Sequence, residues 1–120
     1  MTIICYPSCS TCRKAVAYLE KHKVAYTYRD IKQERPTKEE LQAFYRMSGL
    51  PLKRFFNTSG QLYRSYDLKN RLPGMTEEEM FTLLSSDGML VKRPLLVLDD
   101  VVLVGFREEV WNDHLGGTRG

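Results

Sequence analysis

Thr2-Ile3-Ile4-Cys5-Tyr6-Pro7-Ser8-Cys9-Ser10-Thr11-Cys12-Arg13-Lys14-Ala15 contains a strand, a turn and the opening of a helix. Thr2 to Tyr6 is a short β-rich run that Pro7 stops. Ser8 or Cys9 begins a helix running to about Lys21, with Ala15, Val16 and Leu19 as its apolar face. Val24 to Arg29 alternates Val and Tyr with polar residues and reads as a second strand. Strand, helix and strand in that order predict a right-handed βαβ unit with parallel strands.

Downstream, Thr37 followed by Glu40 is a capping box, and Leu41, Phe44 and Tyr45 give the helix it opens a buried stripe. Ser48-Gly49 ends that helix. Leu52 to Phe56 reads as a short helix, followed by the turn Asn57-Thr58-Ser59-Gly60. A second capping box, Thr76 with Glu79, opens a helix whose Met80, Leu83 and Leu84 are expected to face inward. Leu95–Leu98 and Val101–Val104 flank Asp99-Asp100 as a hairpin, although Asp-Asp is a weaker turn signal than Asp-Gly. Arg107 to Leu115 reads as a terminal helix with Val110 and Trp111 buried. The pattern is βαβ, a helical middle and a ββα end. An α/β four-stranded mixed sheet flanked by helices satisfies it, with a different α/β sandwich as the alternative.

The 120 residues suit one domain, and neither repeat nor linker interrupts them. With 42% hydrophobic and 28% charged residues, the composition excludes global disorder. The net charge of +3 is spread among interspersed acids and bases, without the basic run of a direct nucleic-acid binder. No segment approaches the ~20 apolar residues of a membrane span. Nor does the start show the apolar stretch of a signal peptide. The expectation is a cytoplasmic protein, where clustered cysteines belong to redox or metal chemistry rather than a structural disulfide framework.

Cys9-Ser-Thr-Cys12 is the strongest chemical signal. Cysteines at i and i+3 lie one helical turn apart, within reach of a disulfide after local adjustment. A helix N-terminus favours negative charge, so Cys9 is expected to be the thiolate. Arg13 and Lys14 reinforce the positive field, and Cys12 is the resolving thiol. A zinc site is the first alternative, but it takes about four ligands, and His22 and His114 stand in no ligand spacing. Small buried helix residues are the second. Cys5, inside a strand, reads as a buried apolar residue. Phosphatase-type loops need an Arg six positions after the nucleophile, and Thr11, Ala15 and Tyr18 occupy those places.

Lys92-Arg93-Pro94 precedes a strand, and Pro94 is a candidate for a cis bond. In a thioredoxin-like fold that turn lies beside the reactive Cys, and Arg93 would aim a positive charge at it. An ordinary basic loop is the competing reading. Arg107 reads by default as a solvated helix-end residue, and Lys53-Arg54 as part of a solvated face.

Pro7–Ala15, Phe55–Gly60, Leu90–Leu95 and Val104–Glu108, in this order and spacing, resemble the ArsC/Spx/MgsR family from Thr2 to about Leu115. The resemblance implies a thioredoxin-like domain over 1–115, with an inserted helical region over about 36–90. Residues 116–120 would be a flexible tail. Within that family, glutaredoxin-linked arsenate reductases attack arsenate with a Cys matching Cys9, and three arginines hold the oxyanion. Arg93 matches one of these, and Arg107 another after a one-residue gap. The third falls on Asn57, which lacks a guanidinium's charge and fork of donors. Cys5 stands where the enzymes have a His. Ser10, Thr11, Arg13, Asn57 and Pro94 are thereby expected to line the substrate or oxyanion.

Spx-type regulators carry a CxxC switch matching Cys9 and Cys12, and bind the C-terminal domain of the RNA polymerase α subunit. The resemblance thus implies two functions. One is a thiol–disulfide oxidoreductase of arsenate reductase-like type, reset by thioredoxin or by glutaredoxin and glutathione, with no cofactor. The other is a redox-sensing regulator that touches neither DNA nor membrane directly.

Overall fold

β1 (Thr2–Cys5), α1 (Ser10–Lys21) and β2 (Thr27–Asp30) open the chain, and the two strands pair in parallel. The computed structural model describes residues 1–116, so the expected tail lies from 117 onward outside the described residues. Then come α2 (Lys38–Ser48), a 3₁₀ turn (Leu52–Phe55), α3 (Gln61–Ser65), α4 (Leu68–Arg71) and α5 (Glu77–Ser86). The hairpin β3 (Leu95–Val97) and β4 (Val102–Val104) follows, then α6 (Glu108–Trp111) and a wider turn over Asn112–Gly116. The sheet order is β2-β1-β3-β4, with β3 antiparallel to both its neighbours. This is the expected α/β, thioredoxin-like architecture, a four-stranded mixed sheet flanked by helices with a helical insertion before the hairpin.

Strand parity divides the core. Ile3, Leu96 and Leu103 stand opposite one another on consecutive strands and pack with Cys5, α1 and Trp111. Ile4 and Leu95, also paired, turn to the other face and meet α2, α4 and α5 through Leu41, Phe44, Leu68 and Leu84. A one-residue slip in register would exchange these faces.

Both capping boxes form. Thr37 and Thr76 accept the amides of Glu40 and Glu79, whose carboxylates accept the amides of the two threonines in return. Gly49, at φ 68°, terminates α2 in the left-handed conformation that glycine adopts most readily. At Gly88 any Cβ would run into the backbone carbonyl of Ile31, so the chain after α5 closes on the end of β2 only without a side chain.

Several boundaries differ from expectation. Val24–Tyr26 is not strand: the Val24 amide bonds back to Leu19, and Thr27 is the first residue with a partner, at the Met1 carbonyl. On α1, Tyr18 is buried and Val16 only half-buried. On α5, Phe81 and Leu84 are buried, while Met80 and Leu83 pack at the margin. Phe81 takes the inward position because its ring meets Tyr45 of α2 edge-on at 5.8 Å. Val110 is likewise only half-buried beside the buried Trp111.

Candidate active site

Pro7 and Ser8 turn the chain out of β1, and the Cys9 amide closes the turn on the Tyr6 carbonyl at 3.0 Å. Cys9 occupies the N-cap of α1 with extended backbone (φ −84°, ψ 122°) and is half-buried. Cys12, one turn along, is 1% exposed. Its Sγ accepts the Tyr6 backbone N–H at 3.4 Å, and it packs in one cluster with Cys5 and Cys9. All three cysteines are free thiols.

These contacts decide where negative charge settles. The Cys5 thiol, the Tyr6 amide and the Cys9 thiol all favour a thiolate at Cys12, and the nearby Arg93 charge adds to them. Together they outweigh burial and bring the Cys12 thiol down to about 6. Cys5 is pushed strongly upward, first by its hydrogen bond to Cys12, then by burial and by the neighbouring sulfurs. It therefore stays protonated. One turn below the helix cap, the environment of Cys12 favours ionisation.

Arg93 arrives from the loop before β3. The Arg93–Pro94 bond is cis, Pro94 is buried, and its carbonyl accepts the Gly105 N–H at 2.8 Å. The Arg93 guanidinium lies 5.4 Å from the centroid of the Tyr6 ring, within cation–π range. Nη1 donates to the Val91 carbonyl at 3.4 Å, whereas the buried Nε has no partner. Arg93 thus holds an unspent donor, and its charge favours the Cys12 thiolate.

Arg13, with Cys12, Tyr6, Pro7, Val16 and Tyr28, lines a cleft of about 200 Å³. Ser10 and Thr11 lie exposed on the first turn of α1. Two expected residues are engaged in other contacts. Asn57 donates through its amide to Leu90 at 2.8 Å and through Nδ2 to Met89 at 3.4 Å, tying its turn to the loop before β3. Arg107, with a 67% exposed side chain, pairs with Glu109 at 3.3 Å and lines a groove along β4. Among the described residues no group of three or more His, Cys, Asp and Glu is disposed to hold a metal ion. Nor is any described helix long and apolar enough to cross a membrane.

Sequence reasoning missed Cys5 and Tyr6 as parts of the site. Parity held the signal for the first: Cys5 shares the face of Ile3, under α1. The Tyr6 contribution is a backbone N–H and a ring face, which residue spacing does not reveal.

A family model described as the ArsC family matches residues 5–114. The chain belongs to the ArsC family. The solved structure of an ArsC family related protein from Bacteroides fragilis superposes with a TM-score of 0.92 at 50% identity, covering 93% of this chain and 94% of that one. A possible arsenate reductase from Streptococcus mutans UA159 gives 0.84 at 44% identity, over 92% and 96% of the two chains. The regulatory protein MgsR of Bacillus subtilis (strain 168) is 29% identical over 88% of this ArsC family chain and 82% of its own.

Proposed function

We propose that this ArsC family protein is a thiol–disulfide oxidoreductase in which Cys9 attacks and Cys12 resolves. One observation carries the reading: a half-buried sulfur at the helix cap stands one turn from a buried sulfur that accepts the Tyr6 amide, an arrangement that draws the buried thiol downward. Cys9 passes its proton to the Cys12 thiolate and attacks one sulfur of a disulfide. The S–S bond breaks, Cys9 forms a mixed disulfide, and the departing thiolate takes the proton from Cys12. The Cys12 thiolate then attacks the Cys9 sulfur and expels the second substrate thiolate, leaving the Cys9–Cys12 disulfide. Two electrons have moved from the protein to the substrate. Thioredoxin, or glutaredoxin with glutathione, returns them.

Arg93, with a charge beside the sulfurs and a spare donor, suits the negative charge that develops on a leaving group. An arsenate-like oxyanion is the alternative oxidant, supported by the likeness to the S. mutans protein. Arg107 and Asn57 give it little help, being engaged elsewhere. A disulfide is therefore the favoured substrate class.

The test is turnover of hydroxyethyl disulfide by the full chain, coupled to thioredoxin, thioredoxin reductase and NADPH. Cys9→Ser should lower the rate at least ~100-fold, the scale of a lost nucleophile. Cys12→Ser should instead accumulate a mixed disulfide on Cys9, visible by mass. Full activity in Cys9→Ser removes the assignment.

The likeness to MgsR favours a second reading, in which the same dithiol is a switch and the partner is the RNA polymerase α subunit. A pull-down with that subunit's C-terminal domain, using reduced and oxidised protein, separates the two. Capture that follows the redox state supports the switch.

A further inference from the structure

A cavity of about 590 Å³ lies on the helical insertion and contains none of the three cysteines. Lys53, Arg54, Lys69 and Lys92 stand around it, contributed by the 3₁₀ turn, α4 and the strip before β3. Phe56, Leu72, Met75 and Met80 provide apolar walls, and no Asp or Glu lines it. The ion pairs among the described residues are Arg29–Glu40, Lys38–Glu78 and Arg107–Glu109, so all four cations lack a carboxylate partner. Elsewhere in the chain, acids and bases are interspersed. Here three separate segments bring four like charges to one concavity.

That arrangement has a cost that folding does not recover. Like charges converging on a concave, partly apolar surface repel one another, and the apolar walls strengthen their common field. A bound anion would relieve both. The volume falls within the ~300–1,000 Å³ of small-molecule sites. The two methionines, being unbranched and polarisable, adapt to flat or aliphatic shapes. Inorganic phosphate or sulfate would satisfy the charges and leave the walls wet.

We infer that this cavity binds a small organic polyanion, an apolar body carrying two or more negative charges. The rim cations hold the charged groups while Phe56, Leu72 and the methionines cover the body. The inference stands apart from the dithiol reading, because its residues take no part in the thiol chemistry.

Titration of the ¹⁵N-labelled full chain with naphthalene-1,5-disulfonate, followed by amide shifts, tests it. The disulfonate should saturate, with shifts centred on Phe56, Lys69, Met75, Met80 and Lys92. Sodium sulfate and the neutral 2-naphthalenemethanol should each bind at least tenfold more weakly. The double variant Lys53→Glu/Lys69→Glu changes two exposed side chains, and its spectrum reports whether it folds. It should weaken the disulfonate at least tenfold, and Lys53→Gln/Lys69→Gln should fall between it and wild type. Three results overturn the inference: no saturation at millimolar probe, equal binding of sulfate, or disulfonate affinity unchanged by charge reversal. Enzyme turnover is not read at any point, so loss of the dithiol reading leaves this outcome intact.

Discussion

The two faces of one sheet are built from the same kind of apolar residue but handle polarity in opposite ways. Under α1, the face that buries Ile3, Leu96 and Leu103 also buries two thiols, and each sulfur has defined neighbours. Under α2, α4 and α5, the buried residues are aliphatic and aromatic throughout, and the charges stay outside on the cavity rim. The first face uses burial to tune a sulfur; the second uses burial for cohesion. Substitutions should therefore alter chemistry on one side and stability on the other.

The largest effect that would break this contrast belongs to the helical face. Leu84 of α5 is fully buried in its core. Leu84→Ala should cost ~2–5 kcal/mol by lost transfer energy and a residual cavity. Denaturant unfolding measures that loss. The thiolate absorbance of the folded variant should still titrate near 6, the position set for Cys12 on the opposite face. A midpoint displaced by Leu84→Ala would mean the faces are coupled through the sheet.

The next effect sharpens the contrast on the thiol face. Cys5→Ala removes only a sulfur atom but takes from Cys12 the neighbouring thiol that most favours its ionisation. The Cys12 midpoint should rise from about 6 towards the ordinary thiol value. Because ionisation favours the thiolate only above the midpoint, the variant should carry less thiolate at neutral pH and react more slowly there. The deficit should close as the pH rises. A midpoint that stays near 6 would leave the Tyr6 amide and Arg93 as sufficient causes.

How legible each face was follows from the same contrast. Cohesion writes itself into sequence as periodicity: capping boxes at Thr37 and Thr76, stripes of Leu41 and Phe44, paired apolar runs in the hairpin. The short helices over Gln61–Ser65 and Leu68–Arg71 escaped because they are too brief for a stripe, one burying nothing and the other only Leu68. The Cys9/Cys12 pair and the cis Arg93–Pro94 turn were visible as motifs, and the fold brings them together. What spacing does not carry is direction. Whether Arg107 faces the sulfurs or Glu109 depends on the backbone after Gly105, and whether Lys53 and Arg54 meet Lys69 depends on how the insertion closes.

The smallest effect concerns the edge where the helical layer is fastened to the sheet. Arg29 of β2 makes a forked pair with Glu40 of α2, both N–O distances being 2.8 Å, and its Nε donates to the Glu34 carbonyl at 2.8 Å. Glu40 also receives the Thr37 amide in the capping box. The guanidinium, followed by that amide, overcomes partial burial and draws the Glu40 carboxyl down from 4.5 to about 2. A carboxylate with a lowered native pKa contributes stability that is complete above its unfolded value and lost as the pH falls through the native one. The loss therefore spans pH 4.5 to 2. Glu40 is 37% exposed, so solvent screening limits the contribution to ~0.5–1 kcal/mol. Arg29→Met should flatten this part of the acid-unfolding curve and leave the thiolate titration unmoved, since Arg29 pairs with Ile4 on the face away from Cys5. Should the thiolate midpoint move with Arg29, the edge strand would be carrying charge effects from one face to the other, and the division of labour between the faces would fail at its outermost strand.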